Sequence, residues 1–276
     1  MSILLSIVTI NYNNKAGLQK TLQSVAAQTD GNYEHIIIDG GSTDGSVDVI
    51  RELLEDENYA RHVSFWCSEP DDGIYPAINK GIPHINGDYC LILNSGDYLS
   101  GNDSLQKINR HMFDEDIVSF NYYRVGKGYR RFTTQAKKMT PAFWYLYDGL
   151  NHQSCLIKSS IQKTHPYPTD YKIRNDSYFF MQLFLKYNCT YRHIDETISC
   201  YNDQNGVSAV ADKKLMETER SELLKRFTPP QFVDDLKDYA TLYIAVNRRY
   251  KGVKKIISFL EMLHTVREKL HHITKT

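Results

Sequence analysis

Two short apolar runs, residues 4–10 and 34–39, are rich in Ile and Val at successive positions, the pattern of strands covered on both faces. Between them Leu18, Leu22, Val25 and Ala26 recur at helical spacing, which predicts strand, helix, strand. Residues 46–55 predict a second helix with Val47, Ile50, Leu53 and Leu54 along one face, residues 63–67 a third strand and residues 89–93 a fourth. A short helix follows the acidic turn at residues 69–73. Alternation of this kind predicts an α/β fold with a mostly parallel sheet and right-handed crossovers. The four strand ends are then expected to line one crevice, where open α/β sheets place their ligands.

Beyond Asp97 the alternation loosens. Residues 105–112 predict a helix, and residues 117–124 and 129–133 a hairpin across Gly126-Lys127-Gly128. Pro141 suits the first turn of a short helix. Residues 154–158 and 191–194 predict two further strands, with an amphipathic helix over 176–187 between them. From Asp212 the pattern is mostly helical, interrupted by Pro229-Pro230, and no internal repeat is present. Near the end Val253, Ile256, Ile257, Leu260, Leu263 and Leu270 mark one helical face. Arg248, Arg249, Lys251, Lys254, Lys255, Arg267 and Lys269 flank it against only Glu261 and Glu268. Such a helix either lies on an anionic bilayer or packs on the core or on a second subunit.

Composition narrows the functional classes. The 276 residues carry 33 Lys+Arg and 33 Asp+Glu, so the broad positive field of a nucleic-acid binder is absent and no nucleic-acid partner is expected. The five cysteines, Cys67, Cys90, Cys155, Cys189 and Cys200, are odd in number and lack any C-x-x-C. Neither a disulfide framework nor a zinc knuckle follows; reduced thiols in a cytoplasmic protein do. Residues 1–14 are too short an apolar run for a membrane span and lack the basic start and cleavage site of a signal peptide. They read as a buried first strand. Twenty tyrosines suit the walls of a carbohydrate site as well as ordinary packing.

The candidate chemistry lies at the strand ends. Asp39-Gly40-Gly41-Ser42-Thr43-Asp44-Gly45 follows the second strand and precedes a helix, with Ser42 and Asp44 as candidate caps. The loop after the fourth strand carries Asp97 among small residues, a position suited to a phosphate-bound metal ion or a ribose. A dinucleotide fold would need G-x-G-x-x-G after the first strand, where this chain has Asn11-Tyr12-Asn13-Asn14-Lys15, and no G-x-x-x-x-G-K-[ST] occurs.

Taken in order, Thr9-Ile-Asn-Tyr-Asn, Asp39-Gly-Gly-Ser-Thr-Asp-Gly, Ser68-Glu-Pro-Asp-Asp-Gly-Ile-Tyr, Asn79-Lys-Gly, Gly87-Asp-Tyr and Leu93-Asn-Ser-Gly-Asp resemble the successive signatures of the family 2 inverting glycosyltransferases. The resemblance implies a GT-A fold, a nucleotide-diphosphate sugar donor, UDP-linked in the first instance, and a divalent cation, Mn²⁺ or Mg²⁺. It further implies a glycan or lipid-linked acceptor in bacterial surface-polysaccharide synthesis, at the cytoplasmic face of the membrane. On that basis residues 1–210 form the transferase domain, 1–100 binding the nucleotide-sugar and 101–210 the acceptor, and 211–276 a helical extension.

Carried onto this chain, the resemblance implies that Thr9, Asn11, Asp39 and Asp71 hold the base and ribose, that Lys80 approaches the diphosphate, and that Asn94, Ser95 and Asp97 complete the donor site. Relatives commonly carry Asp-x-Asp-Asp where this chain has Asn94-Ser95-Gly96-Asp97, which leaves Asp97 as the metal ligand. Pro76 stands where relatives often have Asp. Asp176 matches the family's base, which deprotonates the acceptor hydroxyl; His152 matches a segment near the acceptor or diphosphate, with Asp170 a turn or acceptor contact. Gln204-Asn205-Gly206-Val207-Ser208 resembles a loop that closes over the donor. Two rival readings remain: a sugar-nucleotide or glycan binder without activity, suggested by the reduced acidic motif, and a nucleotidyltransferase.

Overall fold

The computed structural model describes residues 4–139, 149–204 and 212–229, with Trp144 and a few isolated positions after 229. Pro141, most of the 204–208 loop and the basic helix over 248–270 lie outside the described residues, as do the calls that rest on them.

The first half is the predicted alternation. Strands β1 (Leu5–Asn11), β2 (Tyr33–Asp39), β3 (Val63–Ser68) and β4 (Tyr89–Ile92) pair in the order β3-β2-β1-β4, all parallel. Helices α1 (Lys15–Ala26), α2 (Ser46–Leu54), α3 (Glu57–Ala60) and α4 (Ile74–Gly81) make the crossovers. The central strands are buried on both faces, which is why their sequences read as unbroken apolar runs. Val8, Ile36, Ile38 and Ile92 join one hydrophobic cluster with Ile78 of α4, while Ile7, Leu91 and Val25 of α1 join another.

The sheet then continues as β4-β8-β6-β9-β5, with β7 on the far side of β6. Here β5 is Tyr98–Leu99, β6 Ile117–Gly126, β7 Tyr129–Thr133, β8 Cys155–Lys158 and β9 Tyr191–Asn202; α5 (Ser104–Asn109) and α6 (Ser159–Thr164) connect them. Strands β4 and β8, and β8 and β6, pair antiparallel, whereas β6 and β9 run parallel. The β6–β7 hairpin forms as its glycines predict, with Gly126 opposite Tyr129. Strand β9 runs eight residues beyond its predicted end at Ile194. Asp195 and Glu196 interrupt the apolar pattern there, at the bulge where the β6–β9 register shifts.

The helix expected over 176–187 also differs. Helix α7 spans Asn175–Met181 and passes into a π turn over Gln182–Lys186, which Asn188 ends with φ of 52°. Helix α8 (Lys213–Phe227) is helical as expected, yet it does not stand apart from the preceding domain. Leu223 is buried in the cluster that contains Phe179, Phe180 and Met181 of α7.

Candidate active site

The open ends of β1, β2 and β4 carry the residues singled out from the sequence, and the structure sorts them into three groups. Register places Asn11 opposite Asp39. The Asp39 carboxylate accepts from Asn11 Nδ2 at 2.7 Å, Ser42 N at 2.9 Å, Ser42 Oγ at 2.6 Å and Ser68 Oγ at 2.6 Å. Burial alone would raise its pKa, but the hydrogen bonds from Ser42, Ser68 and Asn11 outweigh burial and hold it below the usual value. With 0% exposure, Asp39 is the sealed floor of the site, tying three strand ends together. Asn11 is buried with it and keeps an unpartnered Oδ1.

Above that floor Tyr12 and Asp71 flank Gly40. Tyr12 projects its ring into solvent at 66% exposure, and a Cβ added to Gly40 would stand 3.2 Å from that ring and 2.7 Å from Asp71 Oδ2. Any other residue at position 40 would collide with the carboxylate and crowd the ring. Asp71 itself is fixed by accepting from Gly73 N at 2.9 Å.

Two members of the expected donor set have partners within the protein. Thr9 is 0% exposed and its Oγ1 lies 2.8 Å from His35 Nε2, whose other nitrogen meets Tyr59 Oη at 2.7 Å. Thr9 is therefore an internal strand contact and does not face the crevice. Lys80 pairs with Glu69 at 3.0 Å and donates to Pro70 O at 3.3 Å, so its ammonium staples the 69–73 turn. Asp44 is a cap, accepting from Lys15 N at 2.7 Å and Ser46 N at 3.0 Å and so joining the starts of α1 and α2.

The second group surrounds the loop after β4. Gly96 has φ of +102°, a conformation only glycine adopts without strain, and that turn sends Asp97 inward. The Asp97 carboxylate accepts from Asn202 N at 2.7 Å and from the Gln153 side chain. Burial pushes its pKa up to about 7. Asn14 Nδ2 donates to Ser95 O at 3.0 Å and Ser95 Oγ at 3.3 Å. Asn94 Nδ2 lies 3.3 Å from His152 Nε2. Burial lowers the pKa of His152 to about 4, so the ring is neutral near pH 7. Asn94 Oδ1 and His152 Nδ1 are both buried without a partner.

No three His, Cys, Asp or Glu side chains among the described residues converge as a metal site. A buried carboxylate with no cation beside it, one turn from an orphaned amide oxygen, nevertheless fits an ion that takes its other oxygens from a bound phosphate group.

The third group is on the acceptor side. Asp176 lies in the first turn of α7, half-buried, with Ser177 N donating to Oδ1 at 2.7 Å. Burial raises its pKa to about 6 against the opposing pull of that hydrogen bond and of Arg174. Tyr75, Tyr167 and Phe179 build the adjoining wall: Tyr75 Oη donates to Ile173 O at 2.9 Å, and the Tyr167 ring stacks on Phe179 at 4.1 Å. Tyr201 lies within electrostatic reach of both Asp97 and Asp176.

Asp170 does not join them. It pairs with Arg226 of α8 at 3.4 Å and belongs to the packing of that helix. Sequence reasoning missed Glu219, a buried carboxylate of α8 that accepts from Lys172 N at 2.9 Å and from Ile173 N and Arg174 N at 3.1 Å each. It fixes the backbone that leads into Asp176. Nothing in the local sequence distinguishes it from the exposed glutamates beside it.

The sequence model of Glycosyl transferase family 2 matches residues 6–182. The chain belongs to that family. A glycosyltransferase of Mycobacterium tuberculosis is 46% identical over 99 residues, 36% of each chain. This chain thus matches about a third of the length of that relative. The PGL/p-HBAD biosynthesis glycosyltransferase of Mycobacterium bovis is 25% identical over 225 residues, 77% of this chain and 82% of the relative.

Among solved structures, S. aureus TarS 1-349 in complex with UDP-GlcNAc superposes with a TM-score of 0.60 at 17% identity, covering 83% of this chain and 72% of that one. The mannosyltransferase PcManGT from Pyrobaculum calidifontis, in complex with GDP-Man and Mn²⁺, gives 0.59 at 15% identity over 89% and 71%. Both carry the GT-A fold expected from the sequence.

Proposed function

We propose that this family 2 protein is an inverting glycosyltransferase that moves a sugar from a nucleotide-diphosphate donor to a glycan or lipid-linked acceptor of a bacterial surface polysaccharide or glycolipid. The observation that carries the reading is a pair of carboxylates, buried Asp97 and half-buried Asp176, both within electrostatic reach of Tyr201. Asp97 lies at the end of the nucleotide half, and Asp176 starts a helix of the acceptor half with a pKa near 6. A carboxylate raised toward neutrality is a better proton acceptor than an ordinary aspartate and is still ionised at pH 7.

In this reading the base of the donor enters the slot between Tyr12 and Asp71. The Tyr12 ring stacks on it, and the Asp71 carboxylate accepts the imide N–H that uracil or thymine presents. Asp39 and Asn11 hold the floor from beneath, and Asn94, Ser95 and His152 lie where the diphosphate passes. Asp97 and Asn94 Oδ1 would hold a divalent cation, Mn²⁺ or Mg²⁺, which when bound neutralises the diphosphate. Asp176 takes the proton of the acceptor hydroxyl as that oxygen attacks the anomeric carbon from the face opposite the leaving diphosphate. Transfer with inversion follows from that single displacement.

Calorimetric titration of UDP into the protein, with excess Mn²⁺ and again with EDTA, tests donor pocket and cation together. Binding that requires Mn²⁺ and weakens in Asp71→Asn supports a pyrimidine donor held as described. Binding of GDP in place of UDP and dTDP would move the donor to a purine, and binding of none would overturn the donor reading.

A further inference from the structure

Strands β9, β6 and β7 lie side by side next to the two carboxylates, and residues in register across a sheet project to the same face. Their pairing aligns Tyr201, Arg124 and Arg131 in one row and Ser199, Tyr122 and Thr133 in the row beside it. The first row starts at the active site, since Asn202 N–H is bound by Asp97 and the Tyr201 phenol feels both Asp97 and Asp176. It runs outward to two guanidinium groups placed directly opposite one another.

Like charges in that relation repel. One carboxylate meets only the first of them: Asp203 accepts from Arg124 Nη2 at 2.7 Å and from Tyr129 Oη at 2.6 Å. Arg131 is exposed and makes no ion pair among the described residues, and the Nε of Arg124 is buried with no acceptor. Both charges act on the half-buried Tyr122 between them. A positive charge is left unmatched on one edge of a crevice in a chain whose total charge is zero. Packing does not require it, because Arg131 contributes nothing to the core.

We propose that this row is an acceptor subsite for a phosphate-bearing glycan, with Arg124 and Arg131 gripping the phosphate and Tyr201 and Tyr122 flanking the adjoining sugar. Two forked, always-charged donors match the oxygens of a phosphate, and a phosphate here completes the hydrogen bonding that Asp203 leaves unfinished. The subsite rests on the transferase reading above, since it defines what that reaction receives.

The test measures binding of two phosphate probes to protein saturated with UDP and Mn²⁺, so that the donor site is filled. One probe is glucose 1-phosphate, with methyl glucoside as its neutral control; the other is phosphatidylcholine vesicles with and without phosphatidic acid. Arg131→Glu is expected to weaken binding by about tenfold or more, and Arg131→Gln by less. Because Arg131 is exposed on an edge strand, both arginine variants keep the fold, which circular dichroism checks. Loss confined to the soluble probe assigns a glycan phosphate, and loss confined to vesicles assigns a lipid phosphate; either supports the subsite. Equal binding by wild type and Arg131→Glu, or no phosphate-dependent binding by wild type, overturns it. If UDP fails to bind, the donor reading fails, while the arginine comparison in UDP-free protein still decides the phosphate site.

Discussion

At the scale of single residues, the proposed chemistry turns on a carboxylate whose environment sets its behaviour. The expectation for Asp176 rests on the resemblance of residues 173–180, whereas the burial that lifts its pKa to about 6 accompanies neighbours remote in sequence, Tyr75 and Tyr167 among them. A base must be ionised to act, so the acceptor-saturated rate is expected to fall roughly tenfold per pH unit below about 6. Asp176→Asn is expected to lower turnover by roughly two to four orders of magnitude while UDP still binds. Release of nucleoside diphosphate in the presence of acceptor reads both effects, and wild-type turnover in that variant would remove Asp176 from the mechanism.

Thr9 and Lys80 have side chains suited to a donor, but each has a partner within the protein, His35 for one and Glu69 for the other, and those pairings appear only once the chain is folded. Tyr12 was not singled out from the sequence, although an aromatic ring among four polar neighbours after a buried strand is the signal that could have found it.

At the scale of elements, strand and helix order through β4 could be read directly, because a strand buried on both faces and a helix buried on one leave different periodicities. The second half could be read only in part. Strand β9 is half-exposed and bulged, so its pattern breaks midway, and α8 conceals its purpose because Glu219 acts through backbone groups. One buried carboxylate there accepts three N–H donors from residues 172–174, the segment that sets the first turn of α7.

Glu219→Gln retains the shape and can accept with only one of its two head atoms, leaving at least one buried N–H unsatisfied. The expected cost is about 1–3 kcal/mol of stability. The kinetic signature is a lower kcat with unchanged affinity for UDP, since the displaced segment carries Asp176 and not the Tyr12–Asp71 slot. Urea denaturation and calorimetry separate the two. A variant that loses stability but keeps kcat would show that Glu219 supports the helix without placing the base.

At the scale of the whole molecule, the crevice is a region of buried titratable groups that oppose one another in pH. Asp97 and Asp176, with folded pKa values raised to about 7 and about 6, contribute stability at low pH that is lost as pH rises through those values. His152 and His35, lowered to about 4 and about 3, act in the opposite sense: they cost stability only as pH falls below the ordinary histidine range, as does His193, also lowered by burial. From about pH 4 to 6.5 the two sets offset each other, and the buried thiols and phenols, all raised, act only at alkaline pH.

Over the interval from about pH 6.5 to 8 Asp97 is read as the difference between wild type and Asp97→Asn, because the buried histidines, with an unfolded pKa of about 6.5, gain stability in both proteins as pH rises. Ionising the Asp97 carboxyl without a counter-cation is expected to remove about 1 kcal/mol from wild type relative to the variant across it. Asp97→Asn keeps an acceptor for Asn202 N–H and has no charge to develop there. In wild type, UDP with Mn²⁺ is expected to restore at pH 8 what ionisation removed, because a cation held by Asp97 favours the charged form that burial disfavours. Urea melts at the two pH values read each term. Equal slopes in wild type and Asp97→Asn would mean that Asp97 is already ionised in the free protein, and stabilisation by UDP and Mn²⁺ that survives in Asp97→Asn would place the cation on the diphosphate alone.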